Sequence, residues 1–160
     1  MVETGLRVGD AIQYDPKAVT RGERLWIYSY TQQKQKKAER QKHIEAYLTD
    51  RLKKAIDECE WLSPRLPFAF GASKNPSHLA NETYERMKTI GSRCGVLDCR
   101  PHRLRDTFAV RKLVAGIPLE EVSRLLGHSS VKVTETYYAR WTASRKVRLE
   151  RLLAETLVDA

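Results

Sequence analysis

Residues 99–141, CRPHRLRDTFAVRKLVAGIPLEEVSRLLGHSSVKVTETYYARW, constrain the fold of this chain more than any other stretch. His102 and Arg105 stand three positions apart, so a helix there puts both on one face, within reach of a single anion. The anion that such a pair suits is a phosphate. After the break at Gly116-Ile117-Pro118, the apolar residues Leu119, Val122, Leu125 and Leu126 keep a helical period that Gly127 ends. His128 follows at that helix boundary, and Ser129 or Ser130 can cap a further short helix. That helix delivers a tyrosine hydroxyl, from Tyr137 or Tyr138, to the group held by His102 and Arg105.

The charge balance agrees with a phosphate-bearing partner. Twenty-nine Lys and Arg against 20 Asp and Glu leave a formal charge of +9, which favours a polyanion such as nucleic acid. At 160 residues the chain is expected to form one domain, spanning 1–160, with room for a core that needs no disulfide or metal. Cys59, Cys94 and Cys99 are too few and odd in number for a secreted disulfide framework, so a reducing cytoplasmic setting is expected. The spacing Cys94-x4-Cys99-x2-His102 lacks the paired Cys-x2-Cys of structural zinc sites, and no metal is expected. Neither an apolar leader nor a run of about 18 apolar residues occurs, so the chain is expected to be soluble, without a membrane partner.

PHRLRDTFAV followed by LLGHSSVKVTETYYARW resembles the active-site half of the tyrosine recombinase, or phage integrase, family. The family pattern is His-x-x-Arg, then Leu-Gly-His, then a nucleophilic tyrosine about one short helix later. His102, Arg105, His128 and Tyr137 or Tyr138 fit it in order. Tyr137, nine positions after His128, has the commoner family spacing. Yet TETYYARW also resembles a subfamily form, T-E-K-H-Y-A-P-W, whose tyrosine aligns with Tyr138, and Tyr138 is the preferred nucleophile. Near the N-terminus, TGLRVGDA resembles the short helical segment with the first catalytic arginine, which makes Arg7 that arginine and Asp10 an acidic partner orienting a guanidinium.

Between these motifs, turn-like Asp15-Pro16 and Arg21-Gly22 and the strand-like run Leu25 to Thr31 predict a small antiparallel sheet. In the family a β-hairpin follows, carrying a lysine that protonates the leaving oxygen. Lys34 is the candidate, with Lys36 and Lys37 beside it, against the alternative of a solvated charge run. The returning strand of that hairpin is not evident. Ile44, Leu48, Leu52 and Ile56 lie near helical spacing in a segment rich in Lys, Gln, Ala and Glu, which predicts helix instead. Residues 63–79 read as a loop, and a helix from about Asn81 is predicted to turn Tyr84, Met87 and Ile90 inward before Gly91 and Gly95 break it. Val147, Leu149, Leu152, Leu153 and Leu157 form an amphipathic stripe near the C-terminus.

The resemblance thus implies a mainly helical α+β catalytic domain of the DNA breaking-rejoining fold, with a small N-terminal antiparallel sheet. It implies site-specific recombination or integration of double-stranded DNA through a 3′-phosphotyrosyl intermediate, by an oligomer on DNA. No cofactor, metal or small-molecule substrate is implied, and the setting is bacterial, phage or mobile-element. Family members usually carry an N-terminal DNA-clamping domain before the catalytic one, and the chain is expected to be truncated there. Two other readings are a non-catalytic helix-turn-helix module and an inactive integrase remnant. The former accounts only for residues 113–140 and leaves Arg7, Asp10, His102 and Arg105 unexplained.

Overall fold

The computed structural model of the chain describes residues 1–32, 42–58 and 75–158. They form two compact units, Met1–Phe108 and Ala109–Ala160. The first opens with the short helix α1 (Val8–Ile12), a 3-10 turn (Pro16–Ala18), and strands β1 (Val19–Arg21), β2 (Trp26–Thr31) and β3 (His43–Leu48). Helices α2 (Asp50–Asp57), α3 (Pro76–Arg93) and the start of α4 (Pro101–Val114) follow. The second unit holds the end of α4, then α5 (Leu119–Leu125) and α6 (Val131–Val158).

The sheet is antiparallel in the order β1-β2-β3, with Val19 opposite Tyr28 and Tyr30 opposite Ile44. β3 corrects the expectation of helix across Ile44 and Leu48. His43 to Leu48 alternate between exposed and buried, turning Ile44, Ala46 and Leu48 into the core. Helix begins only at Asp50, where the Thr49 hydroxyl accepts a hydrogen bond from the Leu52 amide. A strand returning antiparallel to β2 is therefore present. Lys34, Lys36 and Lys37 lie outside the described residues.

Inward residues of the sheet build an aromatic core. The rings of Tyr14 and Tyr28 stand 4.6 Å apart and those of Tyr28 and Tyr30 stack at 5.1 Å, with Leu6, Ile44, Leu48 and Ile56 packed around them. A second small cluster joins Ile12 of α1 to Leu79 of α3.

Helix α3 starts earlier than predicted. Asn75 caps it by accepting from the Ser77 amide at 2.9 Å, and Pro76 occupies the first turn, where its missing N–H costs nothing. Its inward face is also different, because Leu79 is buried while Tyr84 and Ile90 are exposed. Gly91 does not break the helix. A Cβ there would stand 2.1 Å from Cys99 Cβ, so its lack of a side chain is what lets the chain return so closely.

Candidate active site

The Arg7 segment is fixed from α4. Arg105, 1% exposed, donates a hydrogen bond from Nη1 to the carbonyl of Gly5, a hundred residues earlier in the chain. One turn along α4, the ring of Phe108 packs under the same glycine. A Cβ at Gly5 would lie 2.7 Å from that ring, and the backbone there has φ +71°, a conformation that favours glycine. Two α4 residues three apart thereby hold the loop that leads into Arg7.

Arg7 is the N-cap residue of α1. Its Nη1 is buried and has no hydrogen-bond partner among the described residues. Asp10, in the first turn of α1, is buried at 3% exposure. The hydroxyl of Tyr30 reports how these charges gather: burial raises its pKa above the usual phenol range, the Asp10 carboxylate adds to the rise, and Arg105 and Arg7 oppose it. Both guanidiniums and the carboxylate therefore act on one buried phenol. Tyr30 belongs to no motif in the sequence, and its place in the alternation of β2 is the signal that marks it as inward-facing.

His102 lies on α4 near Arg105 but is differently exposed. Its side chain is 67% exposed, with Nε2 3.7 Å from Asp106 Oδ1 on the next turn. A buried arginine and an accessible imidazole three positions apart on one helix suit a fixed clamp beside a mobile proton carrier.

In the second unit, His128 is placed by the way α5 ends. Gly127 adopts φ +59°. Its amide bonds the Arg124 carbonyl at 2.8 Å, and the His128 amide bonds the Ser123 carbonyl at 3.1 Å. This pair of bonds is the Schellman motif, which sets the backbone of the residue after the glycine. Gly127→Ala is therefore expected to cost about 1 to 2 kcal/mol, read as a lower denaturation midpoint, with Gly127→Asn costing less. No loss in the alanine variant would mean that the motif does not hold His128.

The His128 ring continues to α6, where Nδ1 lies 2.7 Å from the hydroxyl of Thr134. Ser130 caps that helix, accepting from the Lys132 amide at 3.1 Å. The short helix expected after Ser130 and the C-terminal amphipathic helix are joined into α6, with a kink at Tyr138, whose φ −120° and ψ 15° are not helical. Tyr138 is 5% exposed and packs on Trp141 at 6.0 Å between ring centroids, whereas Tyr137 is 72% exposed. Farther along, Leu149 and Leu153 of the predicted stripe are exposed.

The profile of the family described as "Phage integrase family" matches residues 1–144. The chain belongs to the phage integrase family. Over 54 residues it is 43% identical to Tyrosine recombinase XerA of Saccharolobus solfataricus, covering 34% of this chain and 18% of that protein. Its fold is similar to the XerH site-specific recombinase bound to palindromic difH substrate in a post-cleavage complex. That match has a TM-score of 0.65 and 21% identity, over 96% of this chain and 42% of the other. The Tn1549 transposon integrase, in complex with a circular intermediate DNA, matches with a TM-score of 0.62 and 16% identity, over 92% and 56% of the two chains. This chain thus spans little more than half, or less, of the proteins it matches. The α+β, mainly helical fold of tyrosine recombinase catalytic domains, small antiparallel sheet included, is the fold found here.

Proposed function

We propose that this chain is the catalytic part of a site-specific tyrosine recombinase acting on double-stranded DNA, with residues 1–160 working as one catalytic domain. The observation that carries this reading is the arginine arrangement: Arg105 is buried and tied to the Gly5 carbonyl, while Arg7 Nη1 is buried without an acceptor among the described residues. A buried guanidinium N–H costs stability unless an anion meets it, and a DNA phosphate supplies that anion. The DNA-bound state of the XerH and Tn1549 structures adds support, as does a net charge of +9.

In the proposed reaction the hydroxyl oxygen of Tyr138 attacks the phosphorus. A tyrosyl O–P bond forms and the bond to the 5′ oxygen breaks, leaving a 3′-phosphotyrosyl enzyme and a free 5′-hydroxyl. His102 takes the tyrosine proton and returns it in the reverse step, as an accessible imidazole beside the clamp can do. Arg7 and Arg105 hold the non-bridging oxygens as their charge grows, and His128 donates to one of them. Lys34 protonates the departing 5′ oxygen. Attack by a 5′-hydroxyl on the phosphotyrosyl bond rejoins strands without an external energy source, because the bond energy is conserved. An oligomer assembled on DNA would exchange strands between sites.

Incubation with a nicked suicide duplex tests the proposal. Cleavage is expected to leave an adduct that survives SDS, while DNA affinity falls by about a thousandfold or more between roughly 50 and 200 mM salt, as phosphate-dominated binding requires. Absence of the adduct together with tight, salt-insensitive binding of one short sequence would instead establish a helix-turn-helix module.

A further inference from the structure

We propose that Thr134 is a positioning residue for His128: its hydroxyl donates to Nδ1 and thereby keeps the ring proton on Nε2, the nitrogen that the proposed reaction turns to a substrate oxygen. The inference rests on the proposed donor role of His128. It starts from how threonines behave elsewhere in this protein. The hydroxyls of Thr83, Thr89, Thr107 and Thr136 each donate to the carbonyl one helical turn back, at 2.8, 2.9, 2.8 and 2.9 Å. That local bond is the usual resting state of a helical threonine.

Thr134 departs from it. The residue is fully buried at 0% exposure, and its hydroxyl meets the His128 ring at 2.7 Å. A buried hydroxyl proton needs an acceptor, and among the described residues the partner of this hydroxyl is Nδ1 of His128. With Nδ1 accepting, the neutral imidazole carries its proton on Nε2, because the bond made by one ring nitrogen sets the state of the other.

The backbone geometry adds a second constraint. The Schellman turn fixes the His128 main chain, and Thr134 fixes the ring, so the side chain is held from both ends. Thr134 also lies four residues before Tyr138 on α6, so both buried side chains share one helical face. The donor proton of His128 and the candidate nucleophile are thereby referenced to the same element.

Long-range proton–nitrogen NMR of the labelled 160-residue chain tests this, with His128 signals identified by their absence in His128→Gln. In the unsubstituted protein near pH 8, His128 is expected to be protonated only on Nε2, with the Nδ1 resonance displaced from its free-imidazole position by hydrogen-bond acceptance. Thr134→Val is expected to raise the share of the tautomer protonated on Nδ1, and Thr134→Ser to preserve the original state. On the suicide duplex, Thr134→Val should slow adduct formation by about tenfold to a hundredfold, the cost of a misplaced catalytic group, with DNA affinity unchanged. Thr134→Ser should restore the rate. A proton on Nδ1 in the unsubstituted protein would overturn the inference, and this spectrum decides even if the valine variant does not fold. Unchanged adduct formation in a folded Thr134→Val protein would overturn it equally. If the unsubstituted chain forms no adduct, the recombinase proposal fails, while the spectrum still decides whether Thr134 sets the His128 tautomer.

Discussion

Tyr138→Phe is expected to abolish the covalent protein–DNA adduct, while Tyr137→Phe leaves it within a few-fold of the unsubstituted level. Loss of a nucleophile removes the reaction path itself, a change on the order of a millionfold where it has been measured in other covalent enzymes. Counting from His128 does not separate the two tyrosines, since they are adjacent. Their settings do. Tyr138 is 5% exposed, braced by Trp141, and sits where α6 leaves helical geometry, while Tyr137 is 72% exposed. A nucleophile must wait in a defined place, because productive attack tolerates little displacement. A kink at the reacting residue also lets its backbone move without unwinding the flanking turns. Peptide mapping of the adduct from each variant checks the assignment, and an adduct that survives in Tyr138→Phe but not in Tyr137→Phe would reverse it.

The residues that carry this chemistry were easier to find in the sequence than the elements that hold them. Glycine and proline punctuation around residues 116–118 and at Gly127 marks helix ends directly, and α4, α5 and the start of α6 follow that marking. The β3 strand was hidden by arithmetic. Ile44 and Leu48 are four apart, a separation that fits one helical turn and two strand repeats equally well. Only Ala46 between them separates the two patterns, and alanine is too small and too helix-favouring to signal a buried strand position. Thr49 was the better clue, as a capping residue that starts a helix after the strand. At α3 the Asn75-Pro76 pair served as cap and first turn, although prolines nearby read as loop. Contacts across a hundred residues, such as Arg105 with Gly5 and Phe108 beneath it, leave no periodic trace. Thr134 was likewise invisible, since nothing in its spacing distinguishes a ring-orienting hydroxyl from the ordinary helical kind.

The two arginines of the candidate clamp are expected to differ sharply when replaced, although both should be needed for cleavage. Arg105→Met removes a charged donor from the buried Gly5 carbonyl, and a lost bond of that kind costs about 2 to 3 kcal/mol. Stability and adduct formation should therefore fall together. Arg7→Met should spare stability, to within about 1 kcal/mol, because the buried Nη1 it removes has no acceptor among the described residues. Its adduct formation should still drop by about a hundredfold to a thousandfold, the effect of deleting one preorganised donor from a charged transition state. Urea denaturation paired with single-turnover cleavage measures both quantities on the same samples. Such a split would mark a group held for a ligand: Arg105 is tied into the fold by its bond to Gly5, whereas the buried Nη1 of Arg7 has no acceptor among the described residues. A large loss of stability in Arg7→Met with cleavage intact would show that its guanidinium serves the fold, and would remove it from the clamp.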